Sequence, residues 1–191
     1  MSRIQAVLFD LDGTVADTAP DLAAAANSLR LADGVPPLSV ETLRPLASQG
    51  ARGLLKEAVG LTPNDPGFEH ARLRFLSYYE NNLCVHTRLF PGIEPLLAGI
   101  EARQQPWGIV TNKVEYYAHP LMQKLGLGDR CAVVVGGDTT PNPKPAPDPL
   151  LHAARAINVA PELCLYVGDD LRDVQAAHAA GMTARARVRL L

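Results

Sequence analysis

Ala6-Val-Leu-Phe-Asp-Leu-Asp-Gly-Thr14 is a short apolar run that ends in two acids one residue apart, followed by Gly-Thr. Ala6 to Phe9 shows no alternation, which suits a strand covered on both faces. Asp10 and Asp12 stand at i and i+2, so an extended chain would point both to one side. Gly13 permits a turn and Thr14 can tie it. Two like charges held close repel each other, so their shared location calls for something that offsets the cost.

Similar runs recur at Gly108 to Val110, Ala132 to Val135 and Leu163 to Val167, with a weaker one at Ala184 to Val188. Helix-like stretches lie between them, at Val114 to Leu125, Pro147 to Ile157 and Leu171 to Ala180. This alternation predicts an α/β fold, a Rossmann-like parallel sheet with helices on both faces. Ligands of such sheets bind beyond the carboxyl ends of the strands, where Asp10 and Asp12 fall.

One interval breaks the alternation. From Asp17 to about Cys84 there is no convincing strand. Helices are expected at Pro20 to Leu31 with Thr18 as cap, at Ala51 to Val59 closed by Gly60, and at Phe68 to Leu83. This stretch is too long for a loop. It reads as an all-helical cap domain over residues 17–85, inserted after the first strand, with 1–16 and 86–191 forming the core. A helix over Pro91 to Ala102 leads back to the sheet.

The totals narrow the function. The chain has 191 residues, 47% of them hydrophobic, and a net charge of −2. That balance gives no general attraction to nucleic acid or to an anionic membrane, and Arg185, Arg187 and Arg189 form a basic cluster without aromatics. No apolar stretch is long enough to span a bilayer, and no signal-type segment opens the chain. Cys84, Cys131 and Cys164 lie far apart, without zinc spacing; Cys131 and Cys164 read as small buried hydrophobes. A cytoplasmic location is expected.

Three further pieces carry chemistry. Thr111-Asn112 follows a buried strand and can donate to an anion, or simply cap the next helix. Lys144 lies in Asn142-Pro-Lys-Pro-Ala-Pro147, where prolines stiffen the backbone; the alternative is an exposed linker lysine. Asp169, Asp170 and Asp173 cluster where a strand gives way to a helix. Helix capping explains one of them, but three acids suit a hard cation such as Mg²⁺. Together these pieces predict hydrolysis of a phosphate monoester. Asp10 would attack phosphorus, Asp12 would act as acid and then base, and Mg²⁺ with Lys144 would stabilise the transferring group.

The ordered set resembles the haloacid dehalogenase-like hydrolase superfamily over nearly the whole chain: DxDGT at Asp10 to Thr14, Thr111, Lys144, and GDDxxD at Gly168 to Asp173. The resemblance implies Asp10 as nucleophile and Asp12 as acid/base. It implies a metal held by the Asp10 carboxylate, the Asp12 backbone carbonyl and Asp169, with Asp173 in support and Asp170 as a further candidate. Thr111, Asn112 and Lys144 would contact substrate. The helical insert looks like the cap of the phosphoglycolate phosphatase-like branch, which chooses substrates. "GARGLL", "VTNK", "GDDLRD" and Leu121 to Arg130 are similar to bacterial N-acetylmuramic acid 6-phosphate phosphatases. Both candidate substrates carry a carboxylate, and Arg52 is the candidate contact for it, against the alternative of a solvated surface arginine. Such proteins usually continue well past Gly181, whereas this chain stops at Leu191, so an incomplete sheet edge is expected.

A sugar phosphomutase would share these motifs and is the alternative reading. A receiver-type signalling domain would carry its phosphorylated Asp on a later strand and lack the insert. A non-catalytic binding protein would show a substituted motif residue, and there is none. The expected partner is a small phosphorylated metabolite, with a monomer or homodimer as the assembly.

Overall fold

The computed structural model describes residues 4–186, so Arg187 and Arg189 of the basic cluster, and Val188 of the last strand candidate, lie outside the described residues. In chain order the elements are β1 (Ala6–Phe9), β2 (Ala16–Asp17), α1 (Ala19–Ala32), α2 (Val40–Leu43), α3 (Gly50–Val59), α4 (Phe68–Asn81), β3 (Arg88–Leu89), α5 (Ile93–Glu101), β4 (Trp107–Val110), α6 (Glu115–Lys124), β5 (Val133–Val135), α7 (Asp148–Ala156), β6 (Cys164–Gly168), α8 (Leu171–Ala179) and β7 (Thr183–Ala186). The chain divides into two compact units, one reaching to Ala16 and resuming at Leu89, the other Asp17–Arg88.

The first unit is a five-stranded sheet ordered β5-β4-β1-β6-β7, with every pair parallel. The chain winds from β1 outward through β4 and β5, then returns to the other side for β6 and β7. Its direction therefore reverses beside β1, the kind of place where such sheets bind ligands. Phe9 lies level with Ile109 on one side and Val167 on the other, so the residues after each strand emerge along one edge. Strands buried on both faces need apolar residues at every position. Ala6, Leu8, Cys164 and Tyr166 join Leu150, Ala153, Ala176 and Met182 in the core under α7 and α8. Val7 and Phe9 face the other way and are buried as well. Burying a side chain such as Phe9 is worth about 1.5–3 kcal/mol.

The second unit is helical. Thr18 occupies the N-cap position of α1, but its side chain makes no cap bond, contrary to expectation; Pro20 still fills the first turn. α3 ends at Gly60, whose φ of +72° closes the helix in the left-handed region. On α4, Phe68, Ala71, Phe75 and Tyr79 are buried and form its inner face. α2 and the 3-10 turn Arg44–Gln49 go beyond the helices expected from sequence. The Asn27 side chain clamps the backbone of Leu38 in both directions, at 2.8 and 2.9 Å. Asp21 is buried and accepts from His86 N, Thr87 N and Thr87 Oγ1 at 2.8, 2.9 and 2.7 Å. That tie explains why His86 and Thr87 belong to this unit.

Among the described residues no helix is long and apolar enough to cross a membrane. The three cysteines are free, and Cys164 is buried whereas Cys131 is only half-buried. Burial pushes both of these thiols up to about 11.

Candidate active site

The chain does not stay extended after Asp10. The Leu11 carbonyl accepts from the amides of Thr14, Val15 and Ala16 at 3.4, 3.1 and 3.0 Å, so the chain folds back around it. Gly13, at φ +87°, makes the turn possible. Asp12 lies inside this turn, close enough to Asp10 to raise its pKa, and the two carboxylates meet different cations. Thr14 ties the turn, as expected, and does so at long range: its hydroxyl donates to Asp169 Oδ1 at 3.1 Å.

Asp10 meets Lys144. Lys144 is 4% exposed, so the alternative of a linker lysine in solvent is removed. Its Nζ lies 2.9 Å from Asp10 Oδ1, 2.7 Å from Asp173 Oδ1, 2.8 Å from the Tyr166 hydroxyl and 2.9 Å from the Val110 carbonyl. An ammonium has three protons, and two carboxylates and a hydroxyl use all three. The Tyr166 hydroxyl can in turn donate to Val110 O at 2.8 Å. Burial opposes the Lys144 charge, but Asp10 and Asp173 outweigh it and raise its pKa.

Asp12 meets Lys113, whose Nζ lies 3.3 Å from Asp12 Oδ1, with both side chains nearly buried. Asp173 supports the cluster from the α8 side. Its Oδ2 accepts from the amides of Asp169 and Asp170 at 3.1 and 3.0 Å. A Cβ on Gly168 would fall 2.3 Å from that carboxyl group, so only glycine lets Asp173 approach. Asp170 is the N-cap of α8: it accepts from Arg172 N and pairs with the Arg172 guanidinium. Of the two Asp170 readings, the structure supplies the capping one.

One carboxylate oxygen from each of Asp10, Asp169 and Asp173 lies within 4.8 Å of the other two. Burial pushes Asp10 up to about 7; Lys144 pulls it back, while Asp173 and Asp12 push it further up. The four carboxylates of Asp10, Asp12, Asp169 and Asp173 stand against the two ammonium groups of Lys113 and Lys144. The two negative charges left over are those one divalent cation would neutralise. The oxygen-only donor set suits a hard dication. Asp173 is already held by Lys144 and two amides, which leaves Asp10 and Asp169 as the better-placed ligands.

Thr111 is buried directly after β4. Its Oγ1 accepts from Lys113 N at 3.2 Å, which leaves the hydroxyl hydrogen to donate. The Asn112 side chain has a structural task. Its amide donates to Lys144 O at 2.9 Å and accepts from Lys144 N at 3.0 Å, so it clamps the lysine loop. Arg52 belongs to the other unit, in the first turn of α3, with an exposed side chain. Sequence reasoning missed Tyr166 and Lys113. A hydroxyl-bearing aromatic on the buried face of an interior strand needs a polar partner, and that was the available signal for Tyr166.

The geometry agrees with comparisons to known proteins. Residues 7–186 match the sequence profile of the haloacid dehalogenase-like hydrolases. The chain is 43% identical over 179 residues to an N-acetylmuramic acid 6-phosphate phosphatase of Pseudomonas putida, covering 94% of this chain and 80% of that protein. It is 47% identical over 179 residues to a phosphoglycolate phosphatase of Xanthomonas campestris, covering 93% and 80%. Among solved structures, that of a predicted phosphoglycolate phosphatase from Haemophilus somnus superposes with a TM-score of 0.81 at 28% identity, covering 96% of this chain and 85% of that one. With a profile match across nearly its whole length and relatives this similar, the chain belongs to the haloacid dehalogenase-like hydrolase family.

Proposed function

We propose that the protein is a magnesium-dependent phosphatase that hydrolyses a small phosphate monoester through an aspartyl phosphate on Asp10. The observation that carries this reading is the charge of the cluster. A nucleophile-grade carboxylate is buried at a strand end, one lysine holds it, and neighbouring acids leave the group two positive charges short. The Asp10 carboxylate, the Asp12 main-chain carbonyl and Asp169 would hold the cation, with Asp173 in support. When bound, the cation offsets the repulsion among the acids and polarises the phosphoryl oxygens.

The residues divide the remaining work. An Asp10 oxygen bonds to phosphorus as the ester P–O bond breaks, and Asp12 gives its proton to the departing oxygen. A water then bonds to phosphorus as the Asp10–phosphorus bond breaks, and its proton goes to Asp12. Lys144 fixes Asp10 and answers charge on the transferring group. Thr111 donates its hydroxyl to a phosphoryl oxygen. Asn112 contributes indirectly, by setting the Lys144 loop.

The named relatives point to 2-phosphoglycolate or N-acetylmuramic acid 6-phosphate as substrate. Each carries a carboxylate besides its phosphate, and the helical unit with Arg52 is our candidate for recognising it. The test is a phosphate-release panel with Mg²⁺, containing both compounds, hexose phosphates, nucleotides and 4-nitrophenyl phosphate. One of the two acidic esters is expected to give the highest kcat/KM, and EDTA to stop turnover until Mg²⁺ is restored. Undiminished release in EDTA contradicts the metal assignment; isomerised sugar phosphate without free phosphate contradicts hydrolysis.

A further inference from the structure

The site contains one buried lysine, Lys144, and a second, Lys113, whose side chain is nearly buried, and the mechanism above employs the first. Lys144 is fully engaged with Asp10, Asp173 and Tyr166. Lys113 pairs with Asp12 at 3.3 Å, its own side chain 8% exposed and that of Asp12 11%. We propose that Lys113 positions Asp12, holding its carboxylate where it can exchange a proton with the leaving oxygen. The inference rests on the phosphatase reading.

The backbone around Lys113 is built for placement. Its amide donates to Thr111 Oγ1, and its carbonyl accepts from Gly137 N at 2.9 Å. Gly137 approaches so closely that a Cβ there would fall 2.4 Å from the Asn112 carbonyl oxygen. Asn112, one residue earlier, clamps the Lys144 backbone. The two lysines are therefore anchored through adjacent residues of one loop, and each serves a different acid. This division has a physical reason. A nearly buried carboxylate needs a cation or donors. Without Lys113, Asp12 would compete for Lys144 with Asp10 and Asp173, and the hold on Asp10 would loosen. Asp12 precedes Gly13 in the turn that follows β1, outside the strand's ladder, so its direction is held by its partners as well as by the backbone.

Leaving groups separate positioning of an acid from direct binding of phosphate. An aliphatic alkoxide leaves only with a proton; 4-nitrophenolate leaves without one. Because kcat/KM ends at formation of the aspartyl phosphate, its ratio for the best aliphatic ester of the panel against 4-nitrophenyl phosphate reads the acid alone. General acid catalysis contributes about 10²–10⁴-fold. Lys113→Met is expected to lower kcat/KM for the aliphatic ester at least tenfold more than for 4-nitrophenyl phosphate. Lys113→Arg should recover most of that difference. Adding Lys113→Met to Asp12→Ala should cost the aliphatic ester little further, because the two residues act as a unit. Should Lys113→Met not fold, Lys113→Gln carries the same comparison. Equal losses on both esters with a raised KM overturn the inference, because they mark Lys113 as a phosphate ligand. A wild-type enzyme that releases phosphate from no ester defeats the phosphatase reading instead, and the two failures are distinguishable.

Discussion

Each unit of the molecule buries an aspartate near its entry, and the two are solved in opposite ways. In the helical unit, Asp21 receives two backbone amides and a hydroxyl, all neutral, all aimed at one carboxylate. In the sheet unit, Asp10 receives one ammonium that it must share with Asp173, and further acids crowd around it. Asp21 fastens Thr87 to α1. Asp10 is left with a deficit that an arriving cation can fill. A buried acid surrounded by neutral donors reads as architecture; a buried acid among other acids, with too few cations, reads as chemistry.

The largest effect should come from Asp10→Asn, with turnover falling about 10⁴-fold or more. The same change removes a buried like charge, so in EDTA at pH 8 its melting temperature should not fall below that of wild type. A large drop would make Asp10 structural after all and break the comparison. Asp21→Ala should do the reverse. It strands three buried donors, at a cost of about 3 kcal/mol or more, which is roughly 6–12 °C in a chain of this size. Turnover per folded molecule should survive. Calorimetry and an active-site titration separate the two quantities.

Acidity sharpens the contrast next. The folded pKa of Asp10 lies near 7, above its ordinary value of 3.8. The raised value means the folded, metal-free protein holds a proton that the unfolded chain releases. The associated stability is fully present below about 3.8 and is lost as pH rises through about 7. In EDTA, the melting temperature of wild type should therefore decline between pH 5 and pH 8 relative to Asp10→Asn. Identical profiles would refute the shift. The smallest effect should come from Arg52→Ala in the helical unit: a KM increase of about 5–30-fold for esters bearing a carboxylate, scaled from a charge-assisted hydrogen bond of about 1–2 kcal/mol, and none for 4-nitrophenyl phosphate. An unchanged KM for every acidic ester would leave Arg52 an ordinary surface residue.

Much of this was legible beforehand, for identifiable reasons. Interior strands favour unbroken apolar runs, so Ala6 to Phe9, buried at every position, and Leu163 to Val167 announced themselves. Gly60 marked a helix end because the chain needs a left-handed residue there. The acids and Lys144 stood out because charge beside an apolar run is costly without a partner. What escaped was long-range or conformational. Tyr166 counted as one more apolar strand residue; its partner Lys144 is 22 positions away in sequence. Lys113 was seen only as a letter in a similar stretch, since its partner is on another strand's exit turn. The turn after β1 was not legible in detail, because it depends on Leu11 O capturing the amides of Thr14, Val15 and Ala16. Nor did the sequence show that the Asn112 side-chain amide matches the two backbone groups of Lys144.

That last match gives the enzyme an ageing point. The side-chain nitrogen of Asn112 donates while its oxygen accepts, a polarity that only an uncharged amide offers. Spontaneous hydrolysis to aspartate would swap the donor for a second oxygen facing the Lys144 carbonyl, turning attraction into repulsion. Stored preparations would then lose activity with a mass gain of about one dalton, the difference between an amide and an acid, while the fold around the damaged loop stayed whole.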